Sequence, residues 1–255
     1  MYATRRLAAW SWATVGIVAA VAVGIMVTVG PFRLPVGVAQ DVAAPGGGRE
    51  LDREAKHVGG EPDSIVQVAN LVYAGVKSSQ CFSDHFLVQA QKESAISTSR
   101  RFHAVKLSSD ELFEFPLVIM TGEGTFQLPD RERRNLRRFV ERGGFLLASA
   151  GCSSQEWDRA FRREMATVFP EHSLQPIAMD HPVFHTVYDI EELQAKHGTP
   201  RPLEGISLGG RLGVLYSQEG LNDTAHTQGC CCCGGNEITN CAQVNVNILA
   251  YALLY

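Results

Sequence analysis

The sequence predicts a three-layer α/β/α sandwich with a mostly parallel sheet, preceded by an N-terminal transmembrane helix, and three observations point there. Strand-like and helix-like segments alternate through the C-terminal stretch of about 190 residues, one domain's worth of chain. Two of the strand-like segments, Phe115 to Met120 and Phe145 to Ala150, are apolar at nearly every position instead of alternating, the pattern of strands covered on both faces. At the other end, no charge interrupts Leu7 to Phe32, about 26 residues against the ~20 that cross a ~30 Å hydrocarbon core.

Taken in order, Ile65 to Tyr73 is β-branched and mostly apolar and stops at Ala74-Gly75, a strand and its turn. Ser83-Asp84 caps a helix through Ile96, with Phe86, Leu87 and Ala90 at helical spacing. Phe102 to Leu107 alternates with period two and gives the second strand; Phe115 to Met120, closed by Thr121-Gly122, gives the third. Leu128-Pro129-Asp130 opens a helix to Arg142, with an apolar stripe of Leu136, Phe139 and Val140 and arginines from Arg131 to Arg142 on the exposed side. Gly143-Gly144 ends it. Phe145 to Ala150 is the next strand, Gln155 to Phe169 a helix closed by Pro170, Leu174 to Met179 and Gly213 to Ser217 further strands, and Val244 to Tyr255 a terminal helix. Short turns between them imply parallel pairing through right-handed crossovers. Ligands in such sheets meet the carboxyl ends of the strands, which directs attention to Thr121 to Gly124, Ser149 to Cys152 and Asp180-His181.

The chain divides into a signal anchor or transmembrane segment (1–33), a Gly-, Pro- and charge-rich tether (34–63) and the α/β domain (64–255). A cleaved signal peptide has an apolar region of only ~7–15 residues, so length favours a retained anchor, although Gly37-Val38-Ala39 before Gln40 has the form of a cleavage site. Arg5 and Arg6 before the span, with only Arg33 after it, keep the N-terminus inside. The expected protein is single-pass, with its main domain extracytoplasmic. A net charge of −4 lacks the basic surface that phosphate binding requires. The expected partners are therefore the membrane and other membrane or envelope proteins, not nucleic acid. With 45% hydrophobic and 20% charged residues, the chain is neither disordered nor polytopic.

Several ordered motifs carry a resemblance: Phe115 to Gly122, Asn135-Leu136-Arg137-Arg138-Phe139-Val140, Gly143-Gly144-Phe145-Leu146-Leu147-Ala148, Phe161 to Glu164, Val168-Phe169-Pro170 and Asp180-His181-Pro182-Val183-Phe184. Together they resemble the bacterial domain-of-unknown-function family DUF4159 over the whole of Asp63 to Tyr255. The resemblance implies a class I glutamine amidotransferase-like, flavodoxin-like fold and no established activity. Acidic residues expected of the family after the Gly-Gly-Phe-Leu strand are replaced here by Ser149 and Ala150.

Three sets of residues are candidates for chemistry. Cys152 follows a central strand and precedes a helix, where an amidotransferase fold holds its nucleophile and where a helix N-terminus favours a thiolate. Ala150-Gly151-Cys152-Ser153-Ser154 has only one of the glycines of a nucleophile elbow, and the His-x-Glu that should follow late in the chain is absent, so the bland reading is a small buried cysteine. Asp180, His181 and His185 form a second, potential binding set; Pro182 takes them off a helix, and the competing role is to tie a loop. The third is His226 with the run Cys230 to Cys233 and nearby Cys241. His226, Cys230, Cys231, Cys233 and Cys241 supply the donors of a soft-metal site such as zinc. Disulfides with Cys81, Cys152 or Cys241 in an oxidising compartment, or simple packing of a Cys/Gly loop, are the rival readings. The expectation for function is a binding or assembly module more than an enzyme, the alternative being a thiol- or metal-dependent hydrolase.

Overall fold

A computed structural model of the chain describes residues 65–75, 81–227 and 235–255. The anchor, the tether and Cys230 to Cys233 lie outside the described residues. Among those described, no helix is long and apolar enough to cross a membrane.

Seven strands of the described residues form one sheet: β1 (Val68–Val72), β2 (His103–Lys106), β3 (Leu117–Gly122), β4 (Phe145–Ala150), β5 (Gln175–Pro176), β6 (Glu204–Leu208) and β7 (Arg211–Ser217). Among the described residues, four α-helices pack on it: α1 (His85–Glu93), α2 (Asp130–Glu141), α3 (Gln155–Val168) and α4 (Cys241–Leu254). The strand order is β2-β1-β3-β4-β7-β6-β5. The first five are parallel, in a register that places Leu117 opposite Phe145 and Leu147 opposite Leu215.

The pleat sorts the apolar residues of each strand into two cores. Val68, Leu117, Ile119, Phe145, Leu147 and Leu215 face α1 and α4. Their strand neighbours Ala69, Val118, Met120, Leu146, Ala148 and Val214 face α2 and α3. This division follows from chain direction. The chain leaves β1 toward one sheet edge and leaves β3 and β4 toward the other, so right-handed crossovers put α1 on the face opposite α2 and α3. Because α4 is buried nearly all round, its sequence lacks the polar stripe of a surface helix.

The sheet departs from the expected pattern at one edge. Leu174 to Met179 contributes only the two-residue β5, and it runs antiparallel to β6. Pro176, without an N–H to donate, suits a short edge strand. Strand β6 does not appear among the expected elements; it pairs antiparallel with β7 through Gly209 and Gly210, both at positive φ. A two-residue Gly-Gly connection closes such a hairpin because both positions need that left-handed backbone. The terminal helix begins at Cys241, three residues before the expected Val244.

The arginines of α2 are largely engaged within the domain. Arg133 makes a two-pronged ion pair to Glu164 of α3, at 2.8 and 3.2 Å. Arg137 binds Glu141 and Glu171, and Arg138 and Arg142 lie over the Phe113 ring.

Candidate functional site at the carboxyl ends of the strands

In a sheet of this order the crevice opens where β1 and β3 diverge. Here that crevice is filled. Trp157 Nε1 donates to Tyr73 Oη at 2.8 Å, Tyr73 Oη donates to the Thr121 carbonyl at 3.0 Å, and Phe126 packs edge-on to Tyr73. A Cβ on Gly122 would come within 2.7 Å of both polar atoms, so glycine is required for this approach. Burial pushes the Tyr73 hydroxyl up to about 12. The open polar surface therefore lies further along the sheet, beyond β4 and β7.

Cys152 occupies the turn from β4 to α3 that the sequence indicates. It and Ser153 both have left-handed backbones, at φ +50 and +52. Ser154 then caps α3, its hydroxyl accepting from Trp157 N. The Cys152 thiol donates toward Glu123 Oε1 at 3.7 Å, and Ser154 Oγ donates to the Glu123 carbonyl. Beside it, Asn222 joins the ends of β3 and β4. Its Oδ1 accepts from Ser149 Oγ at 2.9 Å and lies 3.5 Å from Thr121 Oγ1, while Nδ2 donates to the Ala150 carbonyl. Ser149, which stands where the family resemblance led us to expect an acid, is thus part of a buried neutral network; its Oγ also accepts from Leu221 N at 2.8 Å.

A second network crosses the loops. Ser153 Oγ donates to the Glu219 carbonyl and accepts from Asn236 N, and Asn236 Nδ2 donates to Glu219 Oε1 at 2.7 Å. Glu237 accepts from both the amide and the hydroxyl of Thr224. Between these groups is a cleft of about 20 Å³ lined by Cys152, Lys196, Glu219, Asn222, Thr224 and Glu237. That is room for about one water-sized group.

Among the other expected metal donors, His226 meets partners that the sequence reading did not assign to it. Its Nδ1 lies 2.8 Å from Asp223 Oδ1, and its ring stacks on His85 with centroids 4.1 Å apart. His85 Nδ1 lies 3.8 Å from Asp223 Oδ2. Ligand atoms of His85, Asp223 and His226 all fall within 4.8 Å of one another. Cys241 is not in that group. Its side chain is buried at the start of α4, and burial, with Asp223 and Glu237 nearby, pushes its thiol up to about 12. Cys81 is disulfide-bonded, whereas Cys152 and Cys241 carry reduced thiols. Cys230, Cys231 and Cys233 lie outside the described residues.

Asp180, His181 and His185 sit at the other end of the sheet. The His181 ring packs against Tyr251, and Tyr251 against Phe145, the first residue of β4. Cys152 lies two residues beyond the other end of that strand, which is roughly 17 Å from Phe145 at ~3.3 Å rise per residue. Within their loop, His181 Nδ1 accepts from Val183 N at 3.1 Å, while His185 reaches the Met179 carbonyl with Nε2 and Asp189 with Nδ1. Burial lowers the proton affinity of His181; the Met179 carbonyl and Asp189 raise that of His185. Asp180 is exposed.

Sequence reasoning missed His85, Asp223, Glu219, Glu237 and the role of Asn222. A signal for His85 was present: a helix that follows β1 must begin at the carboxyl edge. Residues 68–253 match the model of a family described as a domain of unknown function, DUF4159. No curated protein matches the chain.

Proposed function

The chain belongs to the DUF4159 family, and from that premise we propose that it is a membrane-tethered, extracytoplasmic binding or assembly module with a class I glutamine amidotransferase-like, flavodoxin-like fold. The order β2-β1-β3-β4-β7 of its parallel strands supports that fold. Its cleft beyond β4 and β7 takes a water-sized polar group of a membrane or envelope partner, and chemistry is not its task. One observation carries this reading: the Cys152 thiol donates toward the Glu123 carboxylate at 3.7 Å. A nucleophilic cysteine is activated by a cation or base that favours the thiolate. The negative charge of the Glu123 carboxylate opposes a second negative charge on the sulfur, and the cleft holds about one water-sized group.

The experiment is alkylation of the folded full-length protein by iodoacetamide at neutral pH, with Cys152 quantified by peptide mapping. A second-order rate at or below that of glutathione under the same conditions is expected. A faster rate would replace the module by a thiol-dependent hydrolase, the reading favoured by the left-handed backbone of Cys152 between β4 and α3. The tether is tested separately: the protein should stay in the membrane fraction with its original N-terminus, and a mature chain beginning at Gln40 would refute the anchor.

A further inference from the structure

We propose that His85, Asp223 and His226 form a site for a divalent transition-metal ion of the zinc type, open to solvent and made of residues other than those that line the cleft beside Cys152. The two histidines come from distant parts of the sequence, and the fold holds them together through the backbone. Ser83 N donates to the Asn222 carbonyl at 2.8 Å, fixing the chain just before α1 to the residue that precedes Asp223. Ser83 Oγ then accepts from His85 N at 3.1 Å, and Thr224, which follows Asp223, is held by Glu237. Asp223 itself has a left-handed backbone, φ +52, and its side chain is only 7% exposed.

Asp223 Oδ2 is buried and has no hydrogen-bond partner among the described residues. A carboxylate oxygen in that position costs free energy unless it is matched. At 3.8 Å, His85 Nδ1 is too far to donate to it. A cation between the two satisfies the oxygen and uses the nitrogen. Two imidazoles and a carboxylate are a donor set of borderline character, suited to zinc and its first-row neighbours. Ligands about 2.0–2.1 Å from a tetrahedral ion lie roughly 3.3–3.5 Å from one another, so the 4.8 Å spread closes with side-chain rotation of about an ångström. The two rings are parallel, at 8°, and about half of each side chain is exposed. They are therefore able to turn toward a shared ion on their solvent side, where water fills the remaining position as in open three-ligand sites.

The test uses full-length protein and two probes, Zn²⁺ and Co²⁺. Zinc affinity, read by competition with a chromophoric chelator, is expected to fall at least tenfold in His85→Ala, Asp223→Asn and His226→Ala, and to stay unchanged in His172→Ala. Bound cobalt should show visible ligand-field bands without a thiolate charge-transfer band. In metal-free protein, Asp223→Asn should unfold at a urea concentration no lower than wild type, since it keeps an oxygen for His226 and removes the buried one that has no hydrogen-bond partner among the described residues; this also verifies that the variant folds. Wild-type zinc affinity in His85→Ala and Asp223→Asn would overturn the site. So would a thiolate-to-cobalt band that survives both substitutions, which would place the metal on cysteines. Neither result bears on the alkylation rate of Cys152, so this site and the binding-module reading fail separately.

Discussion

Ser149 Oγ donates to Asn222 Oδ1 at 2.9 Å, tying the end of β4 to the loop that leaves β7. Asn222 also faces Thr121 Oγ1 and donates to the Ala150 carbonyl, so one buried amide coordinates the ends of β3 and β4. Asn222→Ala would leave two hydroxyls and a carbonyl short of partners in a site where water has little access. Each buried group left unpaired costs about 1–3 kcal/mol, so a loss of roughly 2–4 kcal/mol is expected, allowing for relaxation. Urea denaturation of the two proteins measures it. A loss under about 0.5 kcal/mol, the range of ordinary surface substitutions, would show that the network does not hold the strand ends.

The α2 and α3 helices are joined by the Arg133–Glu164 pair, whose carboxylate is 1% exposed. Removing the arginine leaves the buried Glu164 carboxylate with only the more distant Arg163, whose Nε is 3.9 Å away, whereas removing both partners leaves no buried charge. Arg133→Ala should therefore destabilise by about 3–5 kcal/mol, the range for breaking a buried pair, and the Arg133→Ala/Glu164→Ala double variant by distinctly less than the sum of the two single losses. A double-mutant cycle read by denaturant titration decides it, and simple additivity would mean that the two side chains do not act as a pair.

The layered core was legible because it depends on period and length. Phe145 to Ala150 reads as a buried strand and is one, Phe115 to Met120 overlaps the buried β3, which begins and ends two residues later at Leu117–Gly122, and Leu136, Phe139 and Val140 mark the inward face of α2. The β6 strand was overlooked because Glu204-Gly205-Ile206-Ser207-Leu208 is short and weakly apolar, and its evidence is the turn that follows, Gly209-Gly210, more than the strand itself. Sites were less legible than elements. Cys152 was found because topology places a β-to-α turn at the carboxyl edge. The partner of His226 was three residues away, at Asp223, but its second ring came from His85, and no local spacing connects residues brought together by tertiary packing. His181 and His185 look like a pair in sequence, yet within the one loop at the amino end of β4 each is bound to a different partner.

Gly220 gives a prediction on backbone geometry. Its φ is +102, and a Cβ there would come within 2.9 Å of Asn222 Nδ2 and 3.0 Å of the Ala150 carbonyl. Gly220→Ala combines an unfavourable backbone with a collision against the Asn222 network. Backbone strain of this kind costs of order 1–3 kcal/mol, and the variant should lose at least ~1 kcal/mol. Gly124→Ala, where a Cβ meets nothing within 4 Å and φ is not positive, is the matched control and should change stability little.

Tyr73 and Trp157 supply a prediction with a defined pH signature. Tyr73 Oη accepts from Trp157 Nε1 and donates to the Thr121 carbonyl, and burial raises its ionisation from the ordinary 10.0 to about 12. Tyr73→Phe leaves both partners unmatched and should cost about 1–3 kcal/mol near neutral pH. Because the folded-state pKa is raised, the contribution of this hydroxyl is fully present below pH 10 and is lost as pH rises from 10 toward 12, where the unfolded chain gives up the proton first. Cys241, pushed from 9.0 to about 12, has the same sign and begins its loss one unit lower. The wild-type protein should thus lose stability steadily above pH 9. In Tyr73→Phe the stability curve starts lower but falls less steeply between pH 10 and 12, and Cys241→Ala flattens it from pH 9. Urea midpoints measured at intervals from pH 8 to 12 test both, and parallel curves for wild type and Tyr73→Phe would mean that the hydroxyl is not held protonated by the fold.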